Sequence, residues 1–137
     1  MCMGLKFGTQ EWVDEYIEKL NANEAYAEAA ASWEGDFVFI IEPDGGLEEE
    51  IRFYVDLYHG KARSGRQLQP DEEQEAAYIF SGKWSMYSLM MDGKLDPLKG
   101  LVSGKFKLVG NMAAVMRAVK AAKQLVETIK MVDTEKY

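Results

Sequence analysis

The sequence has little cysteine, histidine or proline: one, one and three residues in a chain of 137. Cys2 has no partner, so an internal disulfide is excluded, which fits a reducing compartment. A structural zinc site needs several cysteine or histidine ligands, and Cys2 with His59 does not supply them. We therefore expect no metal and no cofactor, and the core itself must stabilise the fold.

Long hydrophobic runs are also lacking. Uninterrupted apolar runs reach only five residues, as in Phe37 to Ile41, whereas a membrane-spanning helix needs about 20. The first residues, "MCMGLK", hold no apolar segment typical of a secretory signal, and Gly4 is not placed for N-myristoylation. Hydrophobic residues still make up 47% of the chain, as in folded proteins. We expect one cytoplasmic globular domain over residues 1–137.

Negative charge is concentrated in the first half. Residues 1–75 carry 18 acidic and 6 basic side chains, a net charge of −12, and residues 76–137 carry 5 acidic and 10 basic, a net charge of +5. The overall charge of −7 argues against a nucleic-acid partner, which requires phosphate neutralisation. The basic second half could meet an anionic headgroup or contact a membrane surface transiently. Alternatively, the two halves simply attract each other.

Apolar periodicity and turn residues predict an α+β domain with a mainly antiparallel sheet and helices on one face. Thr9 and Asn23 are suitable N-caps for two helices, 10–20 and 24–32. Strands are predicted at 36–42, 50–58, 61–69, 75–80 and 105–109. The third of these is polar and suits a sheet edge. Further helices are predicted at 83–91, at 98–102 and, after the N-cap Asn111, at 112–131.

The predicted last helix has an apolar stripe at helical spacing. A stripe of this kind is more often ordinary core than a binding surface. Methionine favours an adaptable surface because its thioether chain is flexible, and the chain has 8 methionines. The stripe consists of Met112, Val115, Met116, Val119, Ala122, Val126 and Ile129.

Catalytic patterns are weak. His59 is the only histidine, and no Gly-x-Ser-x-Gly nucleophile elbow occurs. The segment from Gly100 to Lys105 is one residue short of a phosphate-binding loop and precedes a strand instead of following one. We therefore predict no catalytic residues and no enzyme, and a hydrolase of acyl thioesters is a distant alternative.

Two segments carry a family resemblance. "DGKLDP" at 92–97, followed by "SGKFKLVGNMAAVMR" at 103–117, resembles the C-terminal pattern of the sterol carrier protein 2 family. The order of upstream elements is also similar, so the resemblance covers essentially the whole chain. Val109 departs from the pattern, since a third lysine is frequent there, and no peroxisomal tripeptide ends the chain.

The resemblance implies a five-stranded sheet, an apolar tunnel between sheet and helices, and non-catalytic carriage of a sterol, fatty acid, fatty acyl-CoA or phospholipid. The alternative is a structural or dimerisation module of the same fold, whose interior is filled by bulky side chains. The oligomeric state stays open. The strand alternation and helix stripes give the expected tunnel lining: Phe53, Val55, Leu57, Phe80, Trp84, Tyr87, Met91, Phe106, Leu108, Met112, Val115, Met116 and Val119.

Overall fold

The computed structural model describes residues 4–137, so Cys2 lies outside the described residues. Strands and helices form where the spacing of apolar residues in the sequence predicts them. The helices are α1 (Gln10–Ala22), α2 (Glu24–Ala29), α3 (Trp84–Met91), α4 (Pro97–Val102), α5 (Met112–Arg117) and α6 (Val119–Met131). The strands are β1 (Leu5–Lys6), β2 (Phe37–Glu42), β3 (Ile51–Tyr58), β4 (Lys61–Leu68), β5 (Tyr78–Lys83), β6 (Phe106–Val109) and β7 (Thr134–Glu135).

A five-stranded sheet with the order β4-β3-β2-β5-β6 forms one layer of the fold. Three of its strand pairs are antiparallel, and the central pair β2–β5 is parallel. The predicted α+β class and mainly antiparallel sheet are confirmed, and β4 is an edge strand as its polar sequence predicts. The short strands β1 and β7 form a separate parallel pair, which the sequence patterns did not indicate.

Side-chain caps begin the helices where the sequence predicts them. Thr9 Oγ1 accepts a hydrogen bond from the Trp12 amide at 3.3 Å, and Asn23 Oδ1 accepts one from the Tyr26 amide at 3.2 Å. Asn111 Oδ1 accepts from the Ala114 amide at 3.1 Å. Each cap satisfies an amide that has no partner inside its helix, so the chain can leave a loop and begin a helix at once.

The helices cover one face of the sheet. Helix α1 packs on β4, α3 on β2 and β5, and α4 on β6, while α6 crosses over α1 to α4. On β3 the buried residues Phe53, Val55 and Leu57 alternate with partly exposed polar neighbours, so the predicted register of this strand is correct. The core therefore lies between the sheet and the helical layer.

The opposite face of the sheet is crossed by segment 69–77, which joins the edge strand β4 to β5. Arg66 on β4 binds the Glu72 carboxylate at 2.9 Å, and Arg52 on β3 donates to the Glu72 carbonyl at 3.3 Å. At the far end, the Ala77 amide donates to Asp36 Oδ1 at 2.7 Å. Polar contacts hold this segment in place, and the main apolar core, which includes Phe37, Phe39 and Phe53, lies on the helical side.

Phe106 fits between two glycines. Its ring stacks on Phe80 with a centroid distance of 4.8 Å. A Cβ at Gly100 would lie 2.5 Å from the Phe106 ring, and a Cβ at Gly82 would also clash with it. Gly100, which the sequence places in a segment faintly like a phosphate-binding loop, therefore has a packing role.

Gly100→Ala should destabilise the protein by about 1–3 kcal/mol, because the added methyl overpacks a buried ring. Denaturant unfolding followed by circular dichroism measures this. Lys99→Ala is the matched control, since Lys99 is the exposed neighbour in the same helix and a surface change typically alters stability by less than about 0.5 kcal/mol. Equal stability of Gly100→Ala and wild type would contradict the packing role.

The predicted helix 112–131 is not continuous. It breaks at Ala118, where φ is −105° and ψ is 38°, and α5 ends there before α6 begins. The Ala118 amide donates to the carbonyls of both Ala114 and Val115, so the break costs no hydrogen bond on that amide. The prediction of one uninterrupted helix was therefore wrong at this residue.

Candidate functional site: an apolar cavity between sheet and helices

One row of side chains across the sheet forms the floor of a cavity. Phe39 on β2 is paired with Phe53 on β3 on one side and with Phe80 on β5 on the other. Phe80 is paired in turn with Leu108 on β6. Because paired residues in a sheet project to the same face, these four side chains form a continuous apolar row on the helical side. Phe37 extends this floor toward Trp33.

The helical layer forms the roof. Helix α6 contributes four apolar side chains, α3 two, α4 three, and α1 and α5 one each. All of them are apolar except for two tyrosine hydroxyls. The roof residues are Tyr16, Tyr87, Met90, Pro97, Leu98, Leu101, Val115, Ala122, Leu125, Val126 and Ile129.

The cavity has a free volume of about 60 Å³. Apolar ligand sites typically have volumes of roughly 300–1,000 Å³, so a long-chain ligand must push side chains of the wall apart as it enters. Both tyrosine hydroxyls in the wall are paired: Tyr16 donates to the Leu125 carbonyl at 2.9 Å and Tyr87 to the Phe80 carbonyl at 3.2 Å. The cavity therefore offers apolar contact to a ligand and no free polar group.

The tyrosines of the wall stay neutral. Burial raises the pKa of Tyr16 and of Tyr87 well above the ordinary value, because the ionised phenolate would lose its hydration. No lining residue titrates near neutral pH. Any pH dependence of ligand binding near neutrality must therefore come from the ligand itself or from groups outside the lining.

A second, smaller apolar cavity, with a free volume of about 20 Å³, adjoins the first. The two share Phe37, Val115, Ala122 and Leu125 in their walls. The second is bounded by Tyr26, Trp33 and small alanines near the helix break, among them Ala118. Together the two cavities mark an apolar region between the sheet and α6.

Five of the residues predicted to line a tunnel lie in the cavity wall: Phe53, Phe80, Tyr87, Leu108 and Val115. Their role in ligand binding stays a prediction. They come from β3, β5, α3, β6 and α5, elements far apart in the sequence.

Six other predicted residues lie in or against the core but outside the cavity wall. Val55, Leu57, Trp84 and Phe106 are buried in the core, and Met91 is partly buried against it. Val119 is half-buried at the start of α6. Trp84 packs against Phe7 and Tyr137, at ring centroid distances of 5.8 and 5.3 Å, away from the cavity.

Met112 and Met116 require a correction. They are 42% and 44% exposed and do not line the cavity. The prediction assumed that an uninterrupted stripe faces the interior, but α5 is a separate short helix whose buried side chain is Val115. The methionines on either side of Val115 therefore lie on the outer side of α5.

The sequence patterns did not indicate several lining residues. Phe39 lies in a strand that is apolar on both sides, so alternation gave no indication of its face. Leu125 lies beside the helix stripe, and Tyr16 belongs to the apolar stripe of α1. Leu98 and Leu101 recur at i and i+3 in α4. The i, i+3, i+4, i+7 spacing of Ala122, Leu125, Val126 and Ile129 was the available signal in α6.

Tyr16→Phe should destabilise the protein by about 1 kcal/mol near neutral pH, since the mutant loses the hydrogen bond to the Leu125 carbonyl. The tyrosine in the unfolded chain ionises near pH 10, whereas burial keeps Tyr16 neutral in the folded state. Its contribution to stability is therefore complete below pH of about 10 and falls as the pH rises further. The difference between wild type and mutant should shrink in alkaline urea titrations, and a constant difference would contradict this.

The single histidine lies away from the cavity. His59 Nε2 is 2.7 Å from the Glu34 carboxylate on the surface, and the His59 side chain is 46% exposed. Within residues 4–137, no group of three or more histidine, cysteine or acidic side chains is placed to hold a metal ion. Among the same residues, no helix is both long and apolar enough to cross a bilayer.

A mixed sheet covered on one face by helices, with an apolar cavity between the two layers, defines an α+β domain whose interior site suits an apolar group. A profile of the SCP-2 sterol transfer family matches residues 14–123, and the chain belongs to this family. The resemblance found in the C-terminal segments is thus confirmed, and membership of a lipid-transfer family supports a role in lipid binding or transfer.

Solved structures agree with this assignment. A crystal structure of a sterol carrier protein 2 has 31% identity over 93% of this chain and 99% of that one, with a TM-score of 0.84. A solution structure from Thermus thermophilus, described as a conserved hypothetical protein that could be a sterol carrier protein, has 29% identity over 98% and 94%, with a TM-score of 0.85. The apo sterol carrier protein 2 of Yarrowia lipolytica shares the fold at 19% identity, 85% and 88% coverage and a TM-score of 0.56.

A search of curated protein sequences found no match.

Proposed function

We propose that this protein is a non-catalytic carrier that binds one lipid with a long apolar chain in the cavity between its sheet and its helices. The observation that carries the proposal is the row of Phe53, Phe39, Phe80 and Leu108 under an apolar helical roof, with both wall hydroxyls already hydrogen-bonded. Such a wall stabilises hydrocarbon and repels water. Fatty acids, fatty acyl-CoA, phospholipids and sterols are the candidate ligands.

The energetics suit a carrier that must also release its ligand. Burying about 12 methylenes contributes on the order of 10 kcal/mol, at about 0.8 kcal/mol each. Association and ordering offset at least about 4 kcal/mol of this gain, which leaves roughly 6 kcal/mol or less and a dissociation constant of tens of micromolar or weaker. Chain-length specificity should be loose, because the apolar wall has no free polar group that would fix the length or register of a chain.

No catalytic step is proposed. The cavity wall contains no acid, base or nucleophile apart from the two hydrogen-bonded tyrosines, and the single histidine pairs with Glu34 at the surface. We further propose that residues 1–137 act as one domain, because the described core runs from Phe7 to Val132 without a division. A cytoplasmic location stays a prediction that rests on the lone cysteine.

The alternative is a structural module of the same fold. Its supporting observation is the aromatic packing of the floor, where Phe37 stacks on Phe39 at 5.4 Å and Phe39 on Phe53 at 5.0 Å. Close stacking fills part of the interior, and a module would need no ligand. The two functions make opposite predictions for the binding of any lipid.

Titration of the purified, delipidated protein with palmitate, palmitoyl-CoA and cholesterol tests the proposal. Isothermal calorimetry should show saturable 1:1 binding of at least one of these, with a dissociation constant of tens of micromolar or weaker and the negative heat-capacity change that apolar burial produces. Palmitate and palmitoyl-CoA have the same acyl chain, so a difference between their affinities measures the contribution of the headgroup. No saturable binding of any of the three would favour the structural module.

A further inference from the structure

The chain between Pro97 and Val126 contains no acidic residue but six basic ones: Lys99, Lys105, Lys107, Arg117, Lys120 and Lys123. All six side chains are exposed. Among the residues that the structure describes, none of the six takes part in an ion pair. By contrast, Arg63 and Arg66 on the opposite edge strand β4 are paired with Asp56 and Glu72.

The same stretch also carries exposed apolar side chains. Val102 is 80% exposed, Val109 is 63% exposed, and Met112 and Met116 are exposed by more than two fifths. Of the six large apolar side chains that are exposed in the described part of the chain, these four lie within fifteen consecutive residues. Single exposed apolar residues are common on protein surfaces. Four exposed apolar side chains within one stretch that also carries unpaired positive charge form a distinct kind of surface.

The stretch borders the cavity. It comprises α4, the edge strand β6, α5 and the first half of α6, and each contributes a cavity wall residue: Leu98, Leu108, Val115 and Ala122. On the far edge of the sheet, α1 packs against β4 and carries four acidic residues against a single lysine. Unpaired positive charge is therefore concentrated beside the cavity, whereas at the opposite edge the acidic residues of α1 offset the three basic residues of β4, two of which are paired.

We propose that the exposed side chains of residues 97–126, here called the basic apolar edge, dock the protein onto an anionic lipid bilayer. Lysine and arginine side chains would lie among the acidic headgroups, while Val102, Val109 and the two methionines would enter the headgroup region. The acidic helix α1, at the opposite edge, would face away from the bilayer and so orient the cavity toward it. This inference rests on the proposed carrier function, because it places the lipid-binding space next to its source of lipid.

Flotation with vesicles of phosphatidylcholine, with and without phosphatidylglycerol, tests the docking. The wild-type protein should float with the anionic vesicles, much less with the neutral ones, and progressively less as salt is added, because salt screens charges at the surface. A triple variant, K105Q/K107Q/K120Q, should lower partitioning onto anionic vesicles on the order of 100-fold, since each basic residue near such a surface contributes about fivefold.

The control variant K19Q/K61Q/R63Q removes the same number of positive charges at the opposite edge, and its flotation should stay close to that of wild type. Val102→Ser with Met116→Ser should weaken vesicle binding by about tenfold or more, because burial of these apolar groups is lost. None of the substituted residues lines the cavity, so palmitate binding in vesicle-free solution should stay unchanged in every variant.

Equal flotation with neutral and anionic vesicles, or equal losses in the two triple variants, would overturn the docking surface. So would a wild-type protein that binds no vesicles but self-associates through this edge. Failure of the carrier function would show separately, as absence of palmitate binding in vesicle-free solution while flotation persists.

Discussion

Ala122→Trp should abolish most of the lipid binding and leave the protein folded. Ala122 lies in the walls of both cavities, where they meet under α6. An indole at this position occupies space that a ligand chain needs. Displacing about four methylenes from the cavity forfeits about 3 kcal/mol, so the affinity for palmitate should fall on the order of 100-fold. Calorimetric titration measures this loss.

The melting temperature separates the two interpretations of the interior. If the space is open, the indole fills a void and the melting temperature of Ala122→Trp stays near that of wild type. If side chains already fill the space, overpacking costs about 1–3 kcal/mol, and there is no binding to lose. Met116→Trp is the matched control, because Met116 is exposed on α5; its palmitate affinity should equal that of wild type.

Trp12→Ala should cause a large loss of stability. Trp12 is fully buried and packs against Phe7, Tyr16 and Phe53 at centroid distances of 4.6, 5.1 and 5.5 Å. Truncation of a large buried aromatic typically costs about 3–5 kcal/mol, a large part of the roughly 5–15 kcal/mol that stabilises most domains. Urea unfolding should show this loss, and the ligand affinity should fall too because Tyr16 and Phe53 line the cavity.

Trp12→Phe separates packing from hydrogen bonding. The Trp12 Nε1 donates to Thr134 Oγ1 at 2.9 Å and so ties α1 to β7. Phenylalanine keeps an aromatic ring in the core and loses this bond, so a smaller cost is expected, roughly 1 kcal/mol from the bond with a further cost from the smaller ring. If Trp12→Ala were as stable as Trp12→Phe, the packing of Trp12 against Phe7, Tyr16 and Phe53 could not be what holds α1 in place.

Local chemistry in the sequence predicted most of the fold. The alternation of β3, the caps Thr9, Asn23 and Asn111, and the polar edge strand β4 each depend on neighbouring residues, and all agree with the structure. The break at Ala118 was not predictable in this way, because no glycine or proline marks it. The pairing of β1 with β7 joins segments about 130 residues apart, and no local pattern reports such a contact.

The cavity was only partly predictable for a related reason. Phe39 belongs to the floor because β2 lies between β3 and β5, and this strand order is a property of the whole chain. The face of a strand that is apolar on both sides cannot be read from its own sequence. Met112 and Met116 are helical as predicted, but the break at Ala118 makes α5 a separate helix, and in its position both methionine side chains are exposed.

Mass spectrometry of an organic extract tests the central claim most directly. Wild-type protein, purified without detergent, should yield a co-purified fatty acid, acyl-CoA, phospholipid or sterol in near-stoichiometric amount, and Ala122→Trp, purified in parallel, should yield far less. Met116→Trp should match wild type. A wild-type extract with no lipid above that of an unrelated protein, together with no saturable binding of palmitate, palmitoyl-CoA or cholesterol, would contradict the carrier function.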